Sequence, residues 1–361
     1  MKKIFFALAA VAALAACSKS DVEYDSYDEI AFTPVAKNIT KSMIEGSAFP
    51  ATAGSFNVWA WYNQVSAETT PTSWNTDTDN LYITKGEFTP SETTGIWKGT
   101  TSYYWPKVGS LLFAGYYHSN DSDVSYTFDA TNNKMVFSDI LQRAVNSSNT
   151  NDHSEDLMYF NMTAKSYNQG PVPVVFKHAL SWVTVNLKHS GFTTNAAGYP
   201  KITVHTVDFT NVNPKGTGTV TGTEGTITWS VNGTVADTPI TTADVVLTSA
   251  NQKQKEMLFI PQSLTYDDPS TTDNEGPTMA LKIKYTIYSS ESEHFTETLY
   301  APLKGIEGKT PSLSDASATD VTINSWDPAK HYTYNIIMGL NEIKIQPTVA
   351  DWTSIEANLP I

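Results

Sequence analysis

Between Met279 and Ser289 the chain reads MALKIKYTIYS. Leu281, Ile283, Tyr285 and Ile287 fall on one side of an extended backbone, and Lys282, Lys284 and Thr286 on the other. Side chains on a strand point alternately to opposite faces, so this stretch predicts a strand with one face in a core and the other in water. The same period recurs along the chain. In His331 to Leu340, Tyr332, Tyr334, Ile336, Met338 and Leu340 alternate with His331, Thr333 and Asn335. Trp182 to Lys188 turns Val183, Val185 and Leu187 inward. Phe56 to Tyr62 (FNVWAWY) is apolar on both faces, because Phe56, Val58 and Ala60 oppose Trp59 and Trp61. Such a strand is expected to be covered on both sides. No run beyond the first residues carries the i, i+3, i+4, i+7 pattern of an amphipathic helix.

Turn chemistry separates these runs at Asn132-Asn133, Asn232-Gly233, Asp267-Asp268-Pro269 and Asn274-Glu275-Gly276-Pro277. Many short strands joined by polar turns predict an all-β chain of antiparallel β-sandwiches. With 361 residues, about two domains are expected. Gly170 and the prolines of Tyr167 to Pro173 interrupt the pattern and place the boundary between an N-terminal domain, 49–170, and a C-terminal domain, 171–361.

Composition narrows the function. The chain is 40% hydrophobic, enough for real cores, which excludes disorder. A net charge of −14 argues against a nucleic-acid partner, since phosphate binding needs clustered Lys and Arg. The single cysteine, Cys17, excludes an intrachain disulfide and a cysteine-based zinc site. Burial and sheet hydrogen bonds must hold the fold together.

Met1-Lys2-Lys3, an apolar run from Ile4 to Leu14 and then Ala15-Ala16-Cys17 describe a secretory signal peptide over residues 1–16. The run is shorter than the ~20 residues a membrane-spanning helix needs. Leu14-Ala15-Ala16-Cys17 resembles the lipobox of bacterial lipoproteins, in which the cysteine thiol receives diacylglycerol and becomes the mature N-terminus. The one cysteine stands where that chemistry requires it. Each buried methylene contributes ~0.8 kcal/mol, so several acyl chains hold nearly irreversibly. Ser18 in place of Asp resembles the enterobacterial signal for the outer membrane. Cleavage removes Lys2 and Lys3 and takes the formal charge down by two, to −16. Asp21 to Glu29 (DVEYDSYDE) is acidic and without periodicity, and residues 17–48 read as a lipidated tether or pro-segment.

Six segments, in order, resemble the fimbrillin (Mfa-like) family of lipoprotein pilins, the subunits of type V pili. They are Ile30-Ala31-Phe32 with Ile39-Thr40-Lys41; FNVWAWY at 56–62; YYWPKVGSLLFAGYY at 103–117; VVFKHALSWVTVNL at 174–187; LFIPQ at 258–262; and KHYTYNIIMGLNEIKIQPTVADW at 330–352. The chain departs from the family by carrying Lys41 where many members have Arg. The Thr/Gly-rich stretch from Asn195 to Gly233 carries no family signature.

The resemblance implies two tandem transthyretin-like β-sandwich domains and assembly with other pilin subunits by strand exchange. A sandwich short of one strand exposes unpaired backbone and an apolar groove, which an extended segment of a neighbour can fill. The candidate donor is 342–352, where Ile343, Ile345, Pro347 and Val349 alternate with Lys344, Gln346 and Thr348. Burying three or four such side chains contributes roughly 5–10 kcal/mol gross, and ordering the segment takes back several of those. The family also implies that a trypsin-like protease removes the first strand after a basic residue. Lys41 or Lys37 is then the cut site, and Ile30 and Phe32 belong to the plug that leaves. The alternative is an uncut loop lysine in a subunit that stays anchored.

Catalytic and metal patterns are weak. Asp152, His153, Glu155 and Asp156 match no ligand spacing and read as an exposed acidic loop. Asn75 to Asp79 lacks the glycine and glutamate of a calcium loop. Gly216, Gly218 and Gly222 read as a Gly/Thr-rich β-loop, and His178 as a packed structural histidine. Nothing points to an enzyme or to a cofactor other than the covalent lipid on Cys17. A second functional reading is a surface lipoprotein that binds glycans of a host or bacterial surface through exposed tryptophans, with Trp74 and Trp97 as contacts.

Overall fold

The computed structural model describes residues 29–36, 49, 54–64, 80–93, 95–118, 124–129, 134–144, 156–166, 170–222, 225–241, 243–267, 277–309, 320–341 and 343–351. Every regular element of useful length among them is a strand. The first half supplies β1 (Ala31–Ala36), β2 (Phe56–Asn63), β3 (Leu81–Pro90), β4 (Trp97–Gly99), β5 (Ser110–Tyr117), β6 (Ser125–Asp129), β7 (Lys134–Leu141), β8 (Arg143–Ala144), β9 (Met158–Ser166) and β10 (Val172–His178). Seven of these close into a barrel in the order β1-β10-β9-β5-β2-β3-β4, with β4 returning to β1.

The second half continues with β11 (Ser181–His189), β12 (Lys201–Thr210), β13 (Lys215–Thr221), β14 (Thr228–Asn232), β15 (Thr238–Pro239), β16 (Val245–Val246), β17 (Gln252–Lys253), β18 (Met257–Phe259), β19 (Gln262–Ser263), β20 (Ala280–Tyr288), β21 (His294–Pro302), β22 (Ile306–Lys309), β23 (Asp320–Ile323), β24 (Ser325–Trp326), β25 (Lys330–Met338) and β26 (Ile343–Asp351). A sheet ordered β23-β22-β26-β25-β11-β18-β8 packs over a second ordered β15-β12-β20-β21. Between them lies a core of Val183, Val185 and Leu187 from β11, Leu281, Ile283 and Tyr285 from β20, and Tyr332, Tyr334 and Ile336 from β25. These are the faces that the period-two pattern turned inward.

The barrel is buried inside and out. Phe56, Val58, Ala60, Leu111 and Phe113 fill its interior. Trp61, Leu112, Ala114 and Tyr116 point outward into a second core beneath the sheet β14-β13-β7-β6. Trp59 stacks on Tyr126 at 4.1 Å and Trp61 meets Phe128 at 4.2 Å, so strand β2 is covered on both sides as its sequence required. Gly115 lets β5 sit in this crowd, because a Cβ there would come within 2.3 Å of the Phe160 ring.

The covering sheet also carries the hairpin of β13 and β14, which pairs with β7 although it comes from the stretch read as a Gly/Thr-rich loop. The physical reason is the pair Gly216 and Gly218 at the buried positions of β13. With no side chains there, Trp229 of β14 lies across the strand, its ring 3.2 and 3.0 Å from where their Cβ atoms would stand. Strand β10 lies past the expected boundary at 170/171, yet it pairs with β1 and β9. The chain leaves the barrel at Ala179 and Leu180.

Candidate assembly site

Strand β1 is the seam that closes the barrel. Its pairing is parallel to β10 from Phe32↔Val172 to Ala36↔Phe176, but it meets β4 only at Ala31↔Lys98 and Phe32↔Trp97. Ile30 and Phe32 are wholly buried, and Pro34 is buried two residues on. Phe32 sits edge-on to Phe56 at 5.8 Å, Phe88 at 4.7 Å and Phe113 at 5.2 Å. Burying Ile30 and Phe32 contributes roughly 3–6 kcal/mol together. Without β1, the interior would open between β10 and β4, leaving both strands with an unpaired edge.

A polar clamp holds the start of the segment. The Ile30 amide donates to the Tyr103 carbonyl at 2.7 Å, and Lys98 Nζ donates to Glu29 Oε2 at 2.6 Å. Burial would raise the Glu29 carboxyl, but hydrogen bonds from Lys98 and Ser102 and the charge of Lys98 outweigh it and hold the group below the usual carboxylate range. Beyond Ala36 the next described residue is Phe49, which is buried in the same core with its ring 4.6 Å from that of Phe176. Lys37 and Lys41 lie between these points, outside the described residues, as does Cys17.

The candidate donor segment is strand β26. It forms an antiparallel hairpin with β25, in register from Met338↔Ile343 to Lys330↔Asp351. On its other side, among the described residues, it pairs in parallel with β22 at Lys309↔Thr348. Ile345 and Val349 are half-buried against the sandwich core. The strand is therefore paired along its whole length at the β25 edge.

Trp97 does not serve the glycan reading. It is 2% exposed, inside the barrel between Phe49 and Phe56, and offers no indole face to a sugar. A strand of three residues is too short for its period to have placed that side chain. Trp74, Asn75 to Asp79, Asp152, His153 and Glu155 lie outside the described residues. Asp156 is not part of an exposed loop: it is fully buried, with Oδ2 2.6 Å from Nδ1 of His178. His178 is packed as expected, and its need for a partner was the signal that could have located Asp156. No group of three or more His, Cys, Asp or Glu side chains suited to a metal occurs among the described residues.

One buried polar cluster was missed. His331 stacks on Trp182 with centroids 3.7 Å apart and planes at 5°. Thr184 Oγ1 donates to Glu256 Oε1 at 2.8 Å and lies 2.9 Å from His331 Nε2. The threonine proton is spent on the glutamate, so the histidine nitrogen is the donor in the second bond. Burial, and then the positive charge of Lys253, push the imidazole pKa down to about 4.

A family profile described as fimbrillin-like matches residues 22–352, and a profile for a prokaryotic membrane lipoprotein lipid attachment site matches residues 1–18. Among solved structures, the chain is similar to a fimbrial protein from Bacteroides vulgatus, with a TM-score of 0.53 and 16% identity over 90% of this chain and 99% of that one. It is also similar to a candidate cell adhesion protein from Bacteroides uniformis, with a TM-score of 0.48 and 15% identity over 90% and 100% of the two chains. At 16% identity the likeness to the fimbrial protein concerns the fold alone. No curated protein matches the chain.

Proposed function

The chain belongs to the fimbrillin-like family, and from that premise we propose that it is a structural subunit of a type V pilus, exported to the outer membrane on the lipid of Cys17 and assembled by protease-triggered strand exchange. A fimbrillin-like lipoprotein is a surface structural protein and not an enzyme. Cutting after Lys41 or Lys37 separates β1 from the rest of the barrel, and the groove between β10 and β4 then accepts β26 of another copy.

One observation carries this reading. The plug reads Ile30-Ala31-Phe32-Thr33-Pro34 and the donor Ile343-Lys344-Ile345-Gln346-Pro347. Both set isoleucine, a large apolar residue and proline at alternate steps, and the three plug positions are buried. Superposed in the same direction, Ile345 takes the seat of Phe32, and Pro347, which like Pro34 lacks an amide donor, leaves the same gap in the ladder. The donor thus offers the groove the same inward side-chain pattern as the strand it replaces.

The test is limited trypsin digestion of the mature protein. Cleavage should yield a new N-terminus at Ser42 or Asn38, followed by a ladder of oligomers that resists mild detergent. Lys37→Ala with Lys41→Ala should abolish both. A cleaved protein that stays a monomer at every concentration would refute strand exchange.

A further inference from the structure

The outer face of the sheet β12-β20-β21 is turned away from the sandwich core and ends in a cavity of about 510 Å3, lined among others by Asn211, Asp237, Tyr266, Lys282 and Tyr300. We propose that this cavity is a binding site for a neutral saccharide. The proposal does not rest on strand exchange and concerns the uncleaved protein.

The sheet register builds the site. Asp208 on β12 pairs with Lys282 on β20, which pairs with Tyr300 on β21, so the three form one row across the outer face. Lys282 Nζ donates to Asp237 Oδ2 at 2.8 Å, which fixes both charged groups at the wall of the cavity. The Asn211 amide nitrogen donates to the Thr278 carbonyl at 2.8 Å, leaving the amide oxygen as the acceptor for a ligand hydroxyl. Sugar recognition needs this mixture: donors and acceptors in pairs for the hydroxyls, and an aromatic face for the apolar C–H side of the ring. Tyr300 supplies the aromatic face. It is 59% exposed on the last strand of its sheet, with half-buried Tyr266 lining the same cavity. The volume lies within the ~300–1,000 Å3 typical of small-molecule sites.

Charge selects the class. On this face Asp208 and Asp237 stand with Lys282 and Lys284, while the whole chain carries −14. Sialylated and sulfated glycans are disfavoured by such a field, whereas uncharged sugars gain hydrogen bonds without that repulsion. The tyrosines thus offer the stacking surface that buried Trp97 does not.

The uncleaved mature protein should be applied to a multivalent array of neutral and acidic oligosaccharides, and its strongest ligand titrated by calorimetry. Binding to neutral members is expected, with Tyr300→Ala and Asn211→Ala each weakening it at least tenfold while Tyr300→Phe retains it. The exposed setting of Tyr300 means that thermal unfolding of its variants should match the parent, which separates loss of binding from loss of fold. Absence of binding to any neutral glycan, preference for acidic ones, or binding indifferent to Tyr300→Ala would each overturn the assignment. So would a Tyr300→Ala effect confined to oligomer formation.

Discussion

Phe32 meets Phe88 edge to face, with ring centroids 4.7 Å apart and planes at 89°. The contact joins the strand that closes the barrel to β3, which does not pair with it, so side-chain packing adds to the backbone pairing of β1 with β10 and β4. With only Ala31 and Phe32 paired to β4, the seam depends on Phe32 and its aromatic neighbours.

Phe32→Ala should therefore lower the stability of the uncleaved protein by about 3–5 kcal/mol, the range for removing a buried phenylalanine. Urea unfolding followed by tryptophan fluorescence measures it. The variant should also release its N-terminal fragment faster after trypsin cleavage, because the fragment loses its main anchor. A loss below about 1 kcal/mol would mean that β1 is held by its backbone instead.

Much of this architecture was legible in the sequence, and the gaps have physical causes. The strands β20, β25 and β11 carry their own hydrophobic period, so their inward faces could be read directly. Strand β13 could not: its buried positions are Gly216, Gly218 and Val220, and the apolar surface over the two glycines comes from Trp229 of the next strand. Asp156 was misplaced because an acidic run reads as solvated, whereas this carboxylate reaches His178 across the antiparallel pair of β9 and β10. Strands β1 and β26 were both visible as segments. Their shared Ile-x-apolar-x-Pro pattern gains meaning once Ile30, Phe32 and Pro34 are seen buried.

Asp156 Oδ2 and His178 Nδ1 lie 2.6 Å apart inside the protein, with 0% and 2% of their side chains exposed. Removing one partner strands a polar group in a poorly solvating interior, so Asp156→Ala should cost about 1–3 kcal/mol. Replacing both with apolar residues, Asp156→Leu with His178→Phe, should recover most of that loss. A double-mutant cycle of denaturation midpoints checks this. If the double variant is as unstable as the sum of the singles, the pair is not acting as a unit.

Strand β26 should be able to act away from its own hairpin. A synthetic peptide spanning Ile343 to Asp351 is expected to bind the trypsin-cleaved protein and to leave the uncleaved protein unbound, because β1 occupies the groove. Ile345→Asp in the peptide should weaken binding by about 10- to 100-fold, the equivalent of losing one buried isoleucine. Lys344→Ser, on the opposite face, should change it little. Fluorescence anisotropy of the labelled peptide reads both outcomes, and equal binding to cleaved and uncleaved protein would remove the groove as the receptor.

His331 gives the fold a pH dependence whose sign can be worked out. Packed flat on Trp182 at 3.7 Å and committed to Thr184, the imidazole is held neutral with a pKa pushed down to about 4, first by burial and then by Lys253. In the unfolded chain a histidine takes its proton near pH 6.5. Above that value neither state is protonated at this site and its contribution to stability is complete. Below it the unfolded state gains a proton that the folded state refuses, so stability falls until the folded group also titrates near 4. The loss over this window is on the order of 3 kcal/mol, about 2 kcal/mol of it above pH 5, where most carboxylates are still ionised. His331→Gln should be less stable at pH 7.5, since it gives up the stacked ring, but should flatten the slope between pH 6.5 and 5. Urea titrations at half-unit pH steps compare the two. Equal slopes in parent and variant would show that the acid sensitivity arises at another group.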